Sequence, residues 1–234
     1  KWAHKVLEEY KEVIGVFLPE ILPMIGFEQR TKYHEYDVYM HTLKALQNSE
    51  RNEIIRLAVF FHDIGKPDTL TVDDEGVYHF KGHAKVSAQH TDNILKRLKS
   101  DNLTRKKVCE LIRMHSDRIS ADEYHIKRLL SEKGEEFVHL LLEVKKADAS
   151  AKAQKYRNPI ELAESEKIIN EIVSSNQPIC LSDLLVNGND ILKIGAKGEE
   201  VGKILNYLLD LVLSGKEEND RNTLLKSAGE FIKK

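Results

Sequence analysis

No run of apolar residues in this 234-residue chain approaches the roughly 18 needed to cross a bilayer, which excludes a transmembrane helix. Cysteine is scarce. Cys109 and Cys180 alone cannot make a disulfide scaffold, so a reducing cytoplasm is the expected compartment. An excess of one charge is missing too: 36 Lys and Arg against 38 Asp and Glu leave −2, which excludes a polybasic nucleic-acid binder of the histone kind. The five prolines fall at the edges of periodic segments rather than inside them. Neither an initiator Met nor a signal-peptide pattern opens the chain at Lys1, and it reads as a piece of something longer.

What is present is enough for a core. Hydrophobic residues make up 41% and charged residues 32%, a balance that argues against disorder. The length suits one domain plus an appended segment. Apolar residues recur at spacings of three and four over 2–22, 38–46, 54–64, 86–98, 108–114, 137–144 and 160–172. Further helices are predicted over 201–213 and 221–232. One hairpin is predicted, with strands 69–72 and 77–80 around an Asp-rich turn ending in Gly76. The region from Asn187 to Gly198 reads as a Gly-rich turn. No histidine follows residue 139, and the composition changes near residue 157. The expected domains are therefore 1–157 and 158–234, in an all-α chain with one small β insertion.

Charge is uneven locally. Residues 81–115 carry nine Lys and Arg against three acids, and Lys96, Arg97, Lys99, Arg105, Lys106 and Lys107 dominate the run. This segment is either an ordinary solvated helix face or a surface that meets the phosphates of a nucleic acid.

One dipeptide stands out by its context. His62-Asp63 ends an apolar segment (Leu57-Ala58-Val59-Phe60-Phe61) and precedes Ile64-Gly65-Lys66-Pro67, which stops a helix. Two polar side chains carried to the edge of a core need a partner, and a divalent cation satisfies both. His41 lies on another predicted helix, four residues after Asp37. That spacing puts Asp37 where it can hold the ring nitrogen of His41 that faces away from a metal. Asp148 sits among Ala147, Ala149 and Ala151, His83 follows Gly82 at a helix start, and His115 ends a helical run. Any one of these histidines alone reads as structural. Several of them with two aspartates, all at helix positions able to converge, point to metal. Lys66 could either reach a substrate phosphate or remain a solvent-exposed lysine at a helix C-terminus.

The pattern His41, His62-Asp63, Asp148 resembles the HD superfamily of metal-dependent phosphohydrolases. More closely, the segments 33–43, 57–67 and 82–88 resemble bacterial CCA-adding tRNA nucleotidyltransferases that carry an HD domain after their catalytic head. Residues 184–192, 202–205 and 219–225 resemble the tail of the same family. The resemblance implies an orthogonal helical HD domain followed by a small helical tail that could contact tRNA. It implies one divalent ion held by His41, His62, Asp63 and Asp148, with His83 and His115 at a second metal or gripping phosphate. Asp63 and Lys66 would then serve catalysis, with Asp37 and His34 supporting the ligands from behind. The donor types suit manganese, nickel, cobalt, iron, zinc or magnesium equally. The implied partners are tRNA or nucleotide phosphate esters, and a nucleotidyltransferase head elsewhere in a longer protein.

The departure from that family is equally plain. The Gly-Ser pair of the head and its strand-borne carboxylates are missing. This chain alone is therefore not expected to add nucleotides. It is read as a phosphohydrolase, with a non-catalytic tRNA-holding portion that keeps a structural or vestigial metal site as the alternative.

Overall fold

The computed structural model describes residues 2–157 and 159–233 and is 66% helical. The predicted helix over 2–22 is broken. Helix α1 (Ala3–Glu9) stops at Tyr10, α2 (Lys11–Phe17) stops before Pro19, and Pro19–Met24 is a 3-10 turn. Pro19 has no N–H to continue the helix, and it forces Leu18 out of the helical region, to φ −128° and ψ 67°.

Short polar side chains start the next helices. Asp37 and Asn52 accept first-turn N–H groups and so open α3 (Val38–Asn48) and α4 (Glu53–Phe61). Strands β1 (Thr71–Val72) and β2 (Tyr78–His79) pair antiparallel, with Thr71 opposite His79. They are shorter than predicted because Asp73 folds back to accept the N–H groups of Glu75 and Val77. Helix α5 (His83–Arg97) follows Gly82, and Asp101 caps α6 (Asn102–Met114).

Helix α7 (Glu123–Lys133) was not predicted. It buries only Ile126 and Leu130, too sparse a stripe to register as periodicity in so charged a segment. Gly134, at φ 78°, separates it from α8 (Glu135–Ala151). Helix α9 is Pro159–Ser174. Within the predicted Gly-rich turn lies a short helix, α10 (Gly188–Lys193). Asn187 accepts its first N–H groups and Asp190 returns the bond to the Asn187 N–H. Helices α11 (Glu200–Leu213) and α12 (Arg221–Ile232) complete the chain.

The chain forms two compact units. One holds the residues up to Arg118 together with Glu136–Leu162, and the other holds Ile119–Glu135 with the residues from Ala163 onward. The division falls a few residues after the expected break at 157, and α7 belongs with the second unit. That unit packs Ile191, Ile204, Leu208, Val212, Leu224 and Ala228 into its own core.

The core of the first unit comes from α3, α4, α5, α6 and α8. Val38, Leu43, Ile55, Val59, Phe61, Ile94, Leu111, Ile112, Val138 and Leu141 are all buried in it. Just after α4 the backbone passes hard against α5. A Cβ on Gly65 would lie 2.6 Å from the Ser87 nitrogen and 3.0 Å from the Val86 carbonyl carbon. Gly65→Ala is therefore expected to cost about 2 kcal/mol or more, read as a lowered melting temperature. Gly229→Ala on α12, with nothing within 4 Å, should be neutral or mildly stabilising.

Candidate metal centre

Three helices deliver polar groups into the first unit's core. His41 comes from α3, His62 and Asp63 from the C-terminal end of α4, and Asp148 from α8. His41, His62 and Asp63 are buried. His41 Nε2 lies 2.9 Å from Asp148 Oδ1 and 3.8 Å from Asp63 Oδ2. His62 Nε2 lies 3.1 Å from Asp63 Oδ2 and 3.6 Å from Asp148 Oδ1. The small residues around Asp148 are what let α8 come this close: Ala147, Ala149 and Ala151 are buried.

The other oxygen of Asp63 faces a second pair. His83, at the start of α5, and His115, at the end of α6, place their Nε2 atoms 3.4 and 3.8 Å from Asp63 Oδ1. Two three-residue groups could each hold a cation: His41, His62 and Asp63, and Asp63, His83 and His115. Asp63 belongs to both, one oxygen to each.

Local geometry fixes the ring tautomers. His62, His83 and His115 each direct Nδ1 at the carbonyl three residues earlier, at 2.7, 2.8 and 2.6 Å from Val59, Phe80 and Ile112. A neutral ring that donates from Nδ1 has a bare lone pair on Nε2. The Nε2 atoms of His83 and His115 nevertheless face each other at 3.2 Å. Two lone pairs at that distance repel unless a proton or a cation sits among them. His62 Nε2 and Asp63 Oδ1 lack a well-formed hydrogen bond despite being buried. Such unsatisfied donors in a shared space fit a divalent cation.

Charge in the site is organised by burial. Burial disfavours the Asp63 carboxylate, but His62 and Lys66 more than offset this and hold it well below the usual range. Asp148 is also held low against burial, through its hydrogen bond with His41 and the nearby His62. Burial opposes a charged His62, yet Asp63 and Asp148 raise it to about 10. His115 is pushed down to about 3 by burial and by His62, and His83 is lowered chiefly by burial.

The supporting residues differ from expectation. The Asp37 carboxylate does not brace the His41 ring. Its oxygens accept the N–H groups of Met40 and Gly26, because it is the cap of α3, and His41 Nδ1 is left without a partner. His34 instead stacks edge-on against the His41 ring, with centroids 5.0 Å apart, while its Nδ1 meets the Thr31 hydroxyl. Lys66 is not a solvated cap. Its ammonium turns inward, 2.7 Å from Asp63 Oδ2 and donating to Gln29 Oε1.

Three supporting residues escaped the sequence reading. Gln29, buried, links Lys66 to the Tyr36 carbonyl. Lys145 donates to the carbonyls of His115 and Asp117, tying the end of α6 to α8, and burial lowers its pKa to about 8. Lys152 reaches Asp148 Oδ2 at 2.7 Å. Only Lys152 left a sequence signal, its spacing of four from Asp148.

The predicted phosphate-facing run is largely neutralised. Lys96 and Arg105 share Asp92, Arg97 grips Glu20, and Lys107 reaches Glu136 at 2.7 Å. Four of the six candidate cations there are thus committed to acids, and only Lys99 and Lys106 of the six have no acid paired with them in these contacts.

The fold and this cluster define a helical, metal-competent domain, and comparison with known proteins gives its kin. Residues 70–228 match the model of the family tRNA nucleotidyltransferase domain 2, and the chain belongs to that family. It is 28% identical over 213 residues to the CC-adding tRNA nucleotidyltransferase of Thermus thermophilus, covering 87% of this chain and 47% of that protein. It is 26% identical over 208 residues to the A-adding tRNA nucleotidyltransferase of Deinococcus radiodurans, covering 85% and 47%. A multifunctional CCA protein of Psychromonas ingrahamii matches at 32% over 107 residues, 44% of this chain and 25% of that protein. The chain spans about half the length of the first two relatives. Among the described residues, no helix is long and apolar enough to cross a membrane.

Proposed function

We propose that the first unit is a metal-dependent phosphohydrolase centre of the HD type, within a tRNA nucleotidyltransferase-like protein. The observation that carries this is the double use of Asp63, whose two oxygens face His41 with His62 on one side and His83 with His115 on the other.

His41, His62, Asp63 and Asp148 would hold one divalent cation, and His83 with His115 would hold a second or grip a substrate phosphate. Bound there, the cation supplies Lewis acidity, acidifying a water and neutralising phosphoryl oxygens. The protein's own part is orientation and charge. The carbonyls of Val59, Phe80 and Ile112 keep three Nε2 atoms aimed inward. The Lys66 ammonium sits beside Asp63 and is placed to meet a phosphoryl oxygen if Asp63 is drawn to a metal.

The substrates would be phosphate monoesters or diesters, such as nucleotides or 2′,3′-cyclic phosphates, with tRNA as the macromolecular partner. A nucleotidyltransferase head elsewhere in the protein would perform nucleotide addition. The kinship with CC-adding and A-adding enzymes supports a second reading, in which these helices hold tRNA and the metal is structural.

The test strips the chain with chelator, then reloads it with manganese, nickel, cobalt, zinc or magnesium. Hydrolysis of 2′,3′-cyclic AMP and of bis(p-nitrophenyl) phosphate is followed for each metal. Metal-dependent turnover is expected. A chain inert with every metal, whose melting temperature falls sharply on stripping, would instead carry a structural ion.

A further inference from the structure

Four of the six cations considered for RNA in the α5–α6 region are tied up in ion pairs, but another cationic surface in the first unit carries aromatic rings as well. It is made by the loop before α3 and by the 3-10 turn Gln154–Tyr156 after α8. The Ala153 N–H donates to the Tyr33 carbonyl at 2.9 Å and so fastens loop to turn. Tyr33 and Tyr156 then meet edge to face, with centroids 4.9 Å apart and planes 71° apart.

Edge-to-face packing leaves ring area uncovered, and Tyr33 is 45% exposed. Lysine ammoniums lie over these rings: Lys32 is 5.3 Å from the Tyr33 centroid and Lys155 is 5.9 Å from that of Tyr156. Arg157 is exposed beside them, its Nε donating to the Lys152 carbonyl. Aromatic faces with lysine ammoniums over them match what single-stranded nucleic acid requires. Bases stack on the rings and phosphates meet the cations, without reading sequence.

Two links tie this surface to the His/Asp cluster. Tyr33 precedes His34, whose ring packs on His41. Lys152, at the other edge, holds Asp148 Oδ2. A strand end seated on the tyrosines would therefore lie next to the centre rather than on a remote face.

We propose that Tyr33 and Tyr156, with Lys32, Lys155 and Arg157, seat the unpaired end of an RNA strand and present its terminal phosphate ester to the His/Asp centre. The seat stands on the aromatic and cationic surface alone, and only the presentation for hydrolysis rests on the phosphohydrolase reading.

The experiment measures binding of a fluorescent single-stranded 12-nucleotide RNA by anisotropy, in chelator and without metal, so it does not depend on hydrolysis. The same RNA as a blunt duplex, and AMP as a competitor, are the other arms. Tyr33→Ala and Tyr156→Ala should each weaken binding about fivefold or more, and Tyr33→Phe and Tyr156→Phe should restore it. Lys155→Ala should lower the salt dependence of binding by about one phosphate contact, whereas Lys96→Ala and Lys107→Ala should leave it unchanged. Far-UV circular dichroism verifies that each variant is folded. The proposal is overturned if the wild-type chain does not bind the strand, or if the alanine variants bind as it does. Equal affinity for the duplex, or an AMP affinity equal to that of the strand, would overturn it as well.

Discussion

Asp63→Asn is expected to empty both halves of the centre at once. Each oxygen of Asp63 faces a different histidine pair, so one substitution removes a donor from each group. An amide keeps the size but gives up the charge that would balance a divalent cation. Loss of groups that merely orient metal ligands typically costs 10–100-fold, so loss of this shared ligand should cost at least about 10²-fold in metal affinity and in turnover. Metal content per chain by elemental analysis and hydrolysis of a small diester are the measurements. His83→Ala should differ, lowering metal content only on its own side. The helical far-UV signal should survive in both, because α4 is held by Ile55, Val59 and Phe61 in the apolar core rather than by Asp63. Equal metal content in Asp63→Asn and the wild type would refute a shared ligand.

The second large effect is on stability against pH, and it follows from the directions in which burial and charge move the site histidines. In the metal-free protein His62 is raised to about 10, above the roughly 6.5 of an unfolded histidine. Its contribution is fully present below 6.5 and is lost as pH climbs from there toward 10. His34 and His115 are lowered to about 3, each chiefly by burial, and His83 is lowered for the same reason. Their contribution is present above 6.5 and is lost as pH falls below it, because the unfolded rings take up protons that the folded ones refuse. Asp63 and Asp148, held low, add a further loss below about 4. The stripped protein should therefore melt highest near pH 6.5 and lower on both sides. A cation on His62 displaces that ring's proton, so metal should bind more tightly as pH rises and should remove the alkaline loss of stability. Melting curves from pH 4 to 10, with and without manganese, check both statements. A metal-free melting temperature that keeps rising from pH 7 to 9 would contradict the first of them.

Much of the site could be read before any coordinates. The apolar segment 57–61 running into His62-Asp63 and stopped by Gly65 and Pro67 is a local signal, and α4 ends there as that signal requires. The alanines flanking Asp148 already indicated close helix packing. His34 was placed behind the ligands by the family resemblance alone, since nothing local distinguishes it from a loop histidine.

What the sequence by itself determined is the all-helical class, the small hairpin, and which side chains were available to bind a cation, because helix periodicity, caps and breakers act within a few residues. What only the tertiary structure decided is how those side chains are spent. Asp37 became a cap instead of a brace for His41, and Lys66 turned inward to Asp63 because Gln29 waited there. Arg97 on α5 and Lys107 on α6 met acids from elsewhere in the chain, Glu20 and Glu136. The rings of Tyr33 and Tyr156 came together only because the end of α8 returns beside the loop before α3. Each of these depends on which distant segment fills the adjacent space, and packing of the whole unit settles that, beyond the reach of any local pattern.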